Sequence, residues 1–132
     1  MNKEYLRFFL ELAIEESKAY NDGYPFSKMM PHHKERYNQD FTEIEIRGTQ
    51  RYNPYVDARI IYTILCIELT NVNLTYIASS IDMHPSSIHH YKRTYKLRVE
   101  VDRAWSNHIY GSLRKAKEYI ENYNPEVSFI IE

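Results

Sequence analysis

The stretch from residue 84 to residue 96 reads HPSSIHHYKRTYK and gathers histidine, serine and basic side chains within about three helical turns. Such residues could bind a metal ion, form an ordinary solvated helix face, or contact a negatively charged partner. Structural zinc sites need further ligands at a defined spacing, and no second cluster of cysteine or histidine provides them; the adjacent pair His32 and His33 is poorly placed to bind one ion together. We therefore expect no metal site and no cofactor.

Catalytic chemistry has little support in the sequence. The single cysteine, Cys66, lies within the apolar run IIYTILCIEL and is expected to be a buried, small hydrophobic residue. The sequence contains no GxSxG motif, no P-loop and no convincing pair of carboxylates. We therefore expect a protein that is not an enzyme. One cysteine cannot form a disulfide within the chain, which fits a reducing compartment.

The charge of the chain is unevenly distributed. The net charge is only −1, which argues against a general nucleic-acid binder. Residues 47–98, however, contain seven basic and three acidic residues, whereas the segments on either side carry an acidic excess. Any basic surface must therefore be local to the middle of the chain. No apolar run is long enough to span a bilayer and no signal sequence precedes the first helix, so we expect no membrane partner.

The hydrophobic pattern of these 132 residues predicts one all-α domain, a helical bundle. FTEIEIR at 41–47 alternates apolar and polar residues and could form a short extended segment. RGTQRYNP at 47–54 is expected to be a loop, and Asp57 is expected to cap the helix that follows it. Helices are predicted at about 3–18, 57–70 (buried and central), 74–80 with Asn73 as its cap, 85–99 with Pro85 in its first position, and 102–123.

Residues 73–98 meet the packing requirements of a helix-turn-helix. The motif needs a small residue where its two helices cross, apolar residues on both inner faces, and a turn residue that tolerates positive φ. Ala78 is the small residue and Asp82 occupies the turn. The inner apolar positions are expected to be Ile77, Ile81, Ile88 and Tyr91.

The opening stretch can now be placed on the second helix of this motif. Ser86, His90 and Arg93 recur at helical spacing opposite the inner residues, with His89, Lys92 and Lys96 beside them. Between Asp82 and Glu100 the sequence has no acidic residue. Serine and histidine near the start of such a helix can reach base edges, and basic residues can hold phosphates. The alternative is a solvated basic face with no partner.

The residues from Arg59 to Tyr95 resemble the C-terminal DNA-binding domain of the bacterial replication initiator DnaA, a Trp-repressor-like helix-turn-helix. Glu68-Leu69-Thr70-Asn71 matches the family's ELTN, and Ser86-Ser87-Ile88 stands where its Thr-Thr-Val stands. His90 coincides with a later histidine. His84-Pro85 replaces the family's Asp-His pair, and the turn is one residue shorter. Nothing in the sequence resembles the family's ATPase module, so the resemblance implies a stand-alone relative.

The resemblance implies how the residues would divide DNA recognition between them. The second helix would read the major groove, an arginine of the 47–51 loop would enter the minor groove, and Arg59 would contact a phosphate. The expected DNA-binding residues are Arg47, Arg51, Arg59, His84, Ser86, Ser87, His89, His90, Lys92, Arg93 and Lys96.

We therefore expect a double-stranded-DNA-binding protein in replication or transcription control of a phage or mobile element, located in the cytoplasm of a bacterium or phage-infected host cell. Residues 1–46 would pack on a DNA-binding domain at 47–123, and 124–132 would form a short apolar tail. The first helix or the tail could mediate a homodimer or bind a protein partner. The alternative is a protein-interaction or virion-structural module whose helix-turn-helix scaffold has lost DNA binding.

Overall fold

The computed structural model describes residues 5–21 and 53–123 of the chain, and every regular element within these two ranges is a helix. The all-α fold expected from the sequence is therefore confirmed. The extended segment expected at 41–47, the arginines Arg47 and Arg51, and the tail 124–132 lie outside the described residues. The helices are α1 Leu6–Asn21, α2 Asn53–Leu69, α3 Leu74–Ser80, α4 Pro85–Val101 and α5 Arg103–Tyr123.

α2 is the central helix of the fold and is covered on nearly all sides. Every residue from Tyr55 to Cys66 is buried except Val56, which is half-buried. Each of the other four described helices packs against α2, and this confirms the buried central helix predicted from its continuous apolar sequence. None of the helices in the described ranges is long and apolar enough to cross a membrane.

α1 makes the most extensive contact with α2. Its apolar side chains, including Phe9 and Ala13 with no exposed surface, are part of the core. Between residues 6 and 20, the residues that α1 leaves exposed are Arg7, Glu11, Glu15 and Ala19. The apolar content of α1, which suggested a partner surface, is therefore used within this chain's own core.

The start of α2 differs from the prediction. The helix begins at Asn53 and takes Pro54 into its first turn, where a proline does not interrupt the helical hydrogen bonds. Asp57 is therefore not the cap of α2 but lies one turn inside it, only 5% exposed. The prediction was wrong because a buried aspartate and a capping aspartate can have the same local sequence.

The Asp57 carboxylate joins α2 to α5 through two polar contacts, and a ring stack extends these contacts to α1. Its Oδ1 accepts a hydrogen bond from Trp105 Nε1 of α5 at 2.9 Å, and its Oδ2 lies 2.9 Å from His108 Nε2. The His108 ring stacks on Tyr20 of α1, with 4.2 Å between the ring centroids. Since a buried carboxylate is costly unless it is hydrogen-bonded, these contacts fix the position of α5 and the end of α1 relative to α2.

The single cysteine, Cys66, is buried as predicted, with no exposed surface. Burial raises the pKa of its thiol to about 12. The reactive thiolate is therefore strongly disfavoured at neutral pH.

Asp57→Ala should lower the free energy of unfolding by about 2–3 kcal/mol, because the buried Trp105 N–H loses its acceptor. Asp57→Asn keeps an acceptor oxygen, so it should lower the free energy of unfolding by clearly less than Asp57→Ala does. Urea denaturation of the two variants beside the parent protein measures both values. A loss below about 0.5 kcal/mol in Asp57→Ala, the range of ordinary surface substitutions, would show that the carboxylate does not stabilise the fold.

Alkaline pH should destabilise the protein through Cys66. An unfolded thiol ionises near the ordinary pKa of 9.0, whereas the folded thiol stays neutral until about pH 12. Ionisation therefore favours the unfolded chain, so the free energy of unfolding should fall as pH rises from about 9 towards 12. Thermal unfolding across this range, with Cys66→Ala as the control, should show a shallower decline in the variant. Equal slopes in the two proteins would contradict this assignment.

Candidate nucleic-acid interface

α3 and α4 pack against each other across a short connection, residues 81–84. Asn73 caps α3, as predicted: its Oδ1 accepts a hydrogen bond from the Tyr76 N–H at 2.8 Å. Ala78, in the middle of α3, has no exposed surface. The predictions for the inner apolar positions are confirmed, since Ile77, Ile81, Ile88 and Tyr91 are all buried.

The connection contains the left-handed residue that the sequence predicts. Asp82 has a φ of 51°. The peptide N–H groups around it donate back into α3, from Asp82 to the Ser79 carbonyl at 3.2 Å and from Met83 to the Ala78 carbonyl at 2.9 Å. The chain thus reverses within a few residues, and its backbone groups remain hydrogen-bonded.

His84 caps the N-terminus of α4. Its Nδ1 accepts a hydrogen bond from the Ser86 N–H at 3.1 Å, and Ser86 Oγ lies 2.9 Å from the same nitrogen. Pro85 follows as the first helical residue, in agreement with the prediction. The His84 ring, expected to contact DNA, is exposed, but its Nδ1 is engaged in capping. It therefore orients the first turn of α4 and, with it, Ser86.

One side of α4 is exposed along its full length, and we call it the outer face. It includes the expected DNA-binding residues Ser86, His89, His90, Arg93 and Lys96, whereas Ser87 and Lys92 are half-buried at its edges. The stripe of Ser86, His90 and Arg93 predicted opposite the inner residues is therefore exposed as expected. The outer face comprises Ser86, His89, His90, Arg93, Lys96, Leu97, Glu100 and Val101.

The basic residues of α4 do not all share this face. Arg98 turns towards α5, where its guanidinium lies 4.6 Å from the centre of the Trp105 ring and its Nε lies 3.5 Å from Asp102 Oδ2. The positive charge of the outer face therefore comes from Arg93 and Lys96, with Lys92 at its edge. Glu100 and the exposed Asp82 of the turn limit the basic patch at either end.

Arg59 is not the surface phosphate contact that the resemblance implied. It is only 1% exposed and lies in the second turn of α2, beneath α4. Burial lowers the pKa of its guanidinium, and the neighbouring Tyr91 and Tyr55 act in the opposite direction. Arg59 is covered because α4 packs on this part of α2 through Tyr91, and its position in the sequence could not reveal that covering.

A cleft of about 360 Å³ lies between the start of α2 and the first turns of α4. Arg59 forms part of its wall, and Ser86, Ser87 and His90 come together around it. Val56, Met83 and Tyr91 complete the lining with apolar surface. The structure thus brings together four of the expected contact residues, Arg59, Ser86, Ser87 and His90, and it adds Val56 and Met83, which the sequence had not indicated.

The described residues contain no group of three or more His, Cys, Asp or Glu side chains that could hold a metal ion. His84, His89 and His90 are therefore not gathered with further ligands into such a group.

Two apolar residues of the outer face were also missed. Leu97 and Val101 continue the stripe of Ser86, His90 and Arg93 at four-residue steps. The helical period alone is enough to place them on this face.

Compared with models of known protein families, with curated proteins and with solved structures, the chain has no significant match.

Arg59→Ala should destabilise the fold, because it removes a buried side chain that packs between α2 and α4. We expect the free energy of unfolding to fall by about 2–3 kcal/mol. Arg93→Ala is the matched control, since the same substitution on the outer face should change stability by less than about 0.5 kcal/mol. Chemical denaturation measures both values. Unchanged stability in Arg59→Ala would show that the Arg59 side chain does not stabilise the packing of α4 on α2. Arg59 would then again be a candidate for the phosphate contact that the resemblance implied.

Proposed function

We propose that this protein binds double-stranded DNA through a helix-turn-helix formed by α3, the connection at 81–84, and α4. The observation that carries the proposal is the exposure of Ser86, His90 and Arg93 in one stripe on the outer face of α4, opposite buried inner residues. In such motifs the second helix lies in the major groove, and its N-terminal residues contact base edges. α4 is this recognition helix.

The first half of α4 has suitable dimensions and chemistry for that role. From Ser86 to Lys96 the helix extends about 15 Å, comparable to a major groove about 12 Å wide. The Ser86 hydroxyl and the His90 imidazole can donate to or accept from base edges. Arg93 and Lys96 lie further along the same face and are suited to phosphates.

The cleft beside the first turns of α4 supports a further division of roles. Ser87 is half-buried and lines the cleft together with the more exposed Ser86 and His90. A group that enters the cleft would meet that side chain. Ser86 and His90 therefore act as the main base contacts, and Ser87 discriminates by shape.

The resemblance to the DnaA C-terminal domain supports the same function, and we include in the proposal a role in replication or transcription control of a phage or mobile element. The ELTN match at 68–71 spans the end of α2 and the start of the connection that follows it, and the Ser-Ser-Ile match at 86–88 lies in the first turns of α4. The His84-Pro85 start of α4, in place of the family's Asp-His, implies a different target sequence. Arg47 and Arg51 remain the candidates for a minor-groove contact.

A protein-interaction module is the second candidate function. It is favoured by the second half of the outer face, where Leu97 and Val101 are exposed beside Glu100. DNA phosphates would be repelled by Glu100 and gain little from apolar side chains. A protein partner, in contrast, would bury the apolar side chains of Leu97 and Val101.

Fluorescence anisotropy with duplexes of random and AT-rich sequence at two salt concentrations tests the proposal. Binding should weaken with salt by about 0.9 logarithmic units per tenfold increase for each phosphate contacted. Arg93→Ala should weaken binding to every duplex and reduce that slope by about 0.9. Arg114→Ala, an exposed arginine of α5, is the matched control and should bind as the parent protein does.

Ser86→Ala and His90→Ala should change the preference among sequences more than the overall affinity, because each removes a contact to base edges. A selection from a random duplex library, repeated with each variant, measures this. Equal losses for all duplexes in these variants and in Arg93→Ala would contradict the division into base and phosphate contacts. No binding at low salt would reject DNA binding and favour the protein-interaction module.

A further inference from the structure

The outer face of α4 carries only polar and basic side chains up to Lys96 and includes apolar side chains from Leu97 onward. Leu97 is 62% exposed and Val101 is 84% exposed, one helical turn apart on the same side. Single exposed apolar residues are ordinary on a protein surface, but these two are neighbours on one helix. They form a small apolar surface for which residues 5–21 and 53–123 provide no cover.

Opposite charges flank this apolar surface. Arg93 precedes Leu97 by four residues and Glu100 follows it by three, so both lie along the same edge of the outer face. They are separated by about 10 Å along the helix axis. Within the described part of the chain neither side chain forms a salt bridge.

A two-fold axis beside Leu97 makes this arrangement complementary to itself. When two copies of α4 pack antiparallel about such an axis, Leu97 of one copy meets Leu97 of the other. Arg93 then lies within about 1.5 Å, measured along the helix axis, of Glu100 in the other copy. The same pair forms a second time by symmetry. A parallel arrangement of the two helices would instead place like charges beside each other.

We propose that a second copy of this chain docks antiparallel on the second half of the outer face, with Leu97 and Val101 at the centre and two Arg93–Glu100 ion pairs between the copies. The surface is small, so the association is weak and reversible. Because Arg93 belongs to the interface, the dimer covers part of the proposed DNA-binding face. Competition between dimer and DNA follows, and this consequence alone rests on the proposed function.

Sedimentation equilibrium of the full chain without DNA, over a range of protein concentrations, tests the association. The parent protein should show a concentration-dependent dimer. Glu100→Arg should weaken it by about tenfold, since both ion pairs become like-charge contacts. The double variant Arg93→Glu with Glu100→Arg restores opposite charges and should recover the parent affinity. Glu118→Arg, the same change at an exposed position of α5, is the matched control and should have no effect.

A monomer at every concentration would overturn the proposal, and so would a double variant that stays as weak as Glu100→Arg. Circular dichroism of each variant checks that the fold is intact, which is expected because all the substituted positions are exposed.

Disulfide trapping separates this inference from the proposed function. Under mild oxidation Leu97→Cys should form a covalent dimer across the two-fold axis, whereas Asn107→Cys, exposed on α5, should not. Failure of Leu97→Cys to cross-link faster than Asn107→Cys would count against the dimer. If the dimer forms and the reduced protein fails to bind duplex DNA, the proposed function is wrong and the dimer stands. If the reduced form binds DNA and the oxidised form does not, both are supported.

Discussion

The burial of α2 on nearly all sides is the constraint on which the rest of the structure depends. An apolar helix of this kind must be covered by its neighbours, and each fully buried aliphatic side chain contributes about 1.5–3 kcal/mol to stability. α4 packs against α2 and buries its own Ile88 and Tyr91 in the core. Once those residues face the core, the helical period leaves Ser86, His90 and Arg93 pointing outward. The candidate interface is therefore a consequence of how the core is closed.

The sequence predicted the features whose causes are local. Asn73 caps α3, Pro85 begins α4, and Asp82 adopts positive φ, each because of the chemistry of a single residue type in a short segment. The period of the apolar residues likewise predicted which side of α4 is buried. The boundary of α2 was missed because Pro54, expected to end a loop, is equally compatible with the first turn of a helix.

Contacts between distant segments could not be predicted in this way. Asp57 bonds to Trp105 and His108, which lie 48 and 51 residues further along the chain, so no local pattern distinguishes it from a cap. Arg59 and Arg98 are basic residues in a basic segment, and a charge count includes both of them in the basic surface. Arg59 is covered by its packing against Tyr91. Arg98 contacts Trp105 and therefore does not lie on the outer face. The exposure of a charged side chain depends on its neighbours in space.

The length of α4 connects the two surfaces proposed for its outer face. Its 17 residues extend about 25 Å, roughly twice the width of a major groove, so one half of the helix is enough to fill the groove. The first half carries hydroxyl, imidazole and basic groups, which suit bases and phosphates. The second half carries Leu97, Glu100 and Val101. These side chains are poorly suited to bases or phosphates and better suited to contact with another protein surface. Arg93 lies between the halves and can pair with a phosphate or with a carboxylate, though not with both at once. Under the two proposals together, the concentration of the protein itself would govern how much of the proposed DNA-binding face is free.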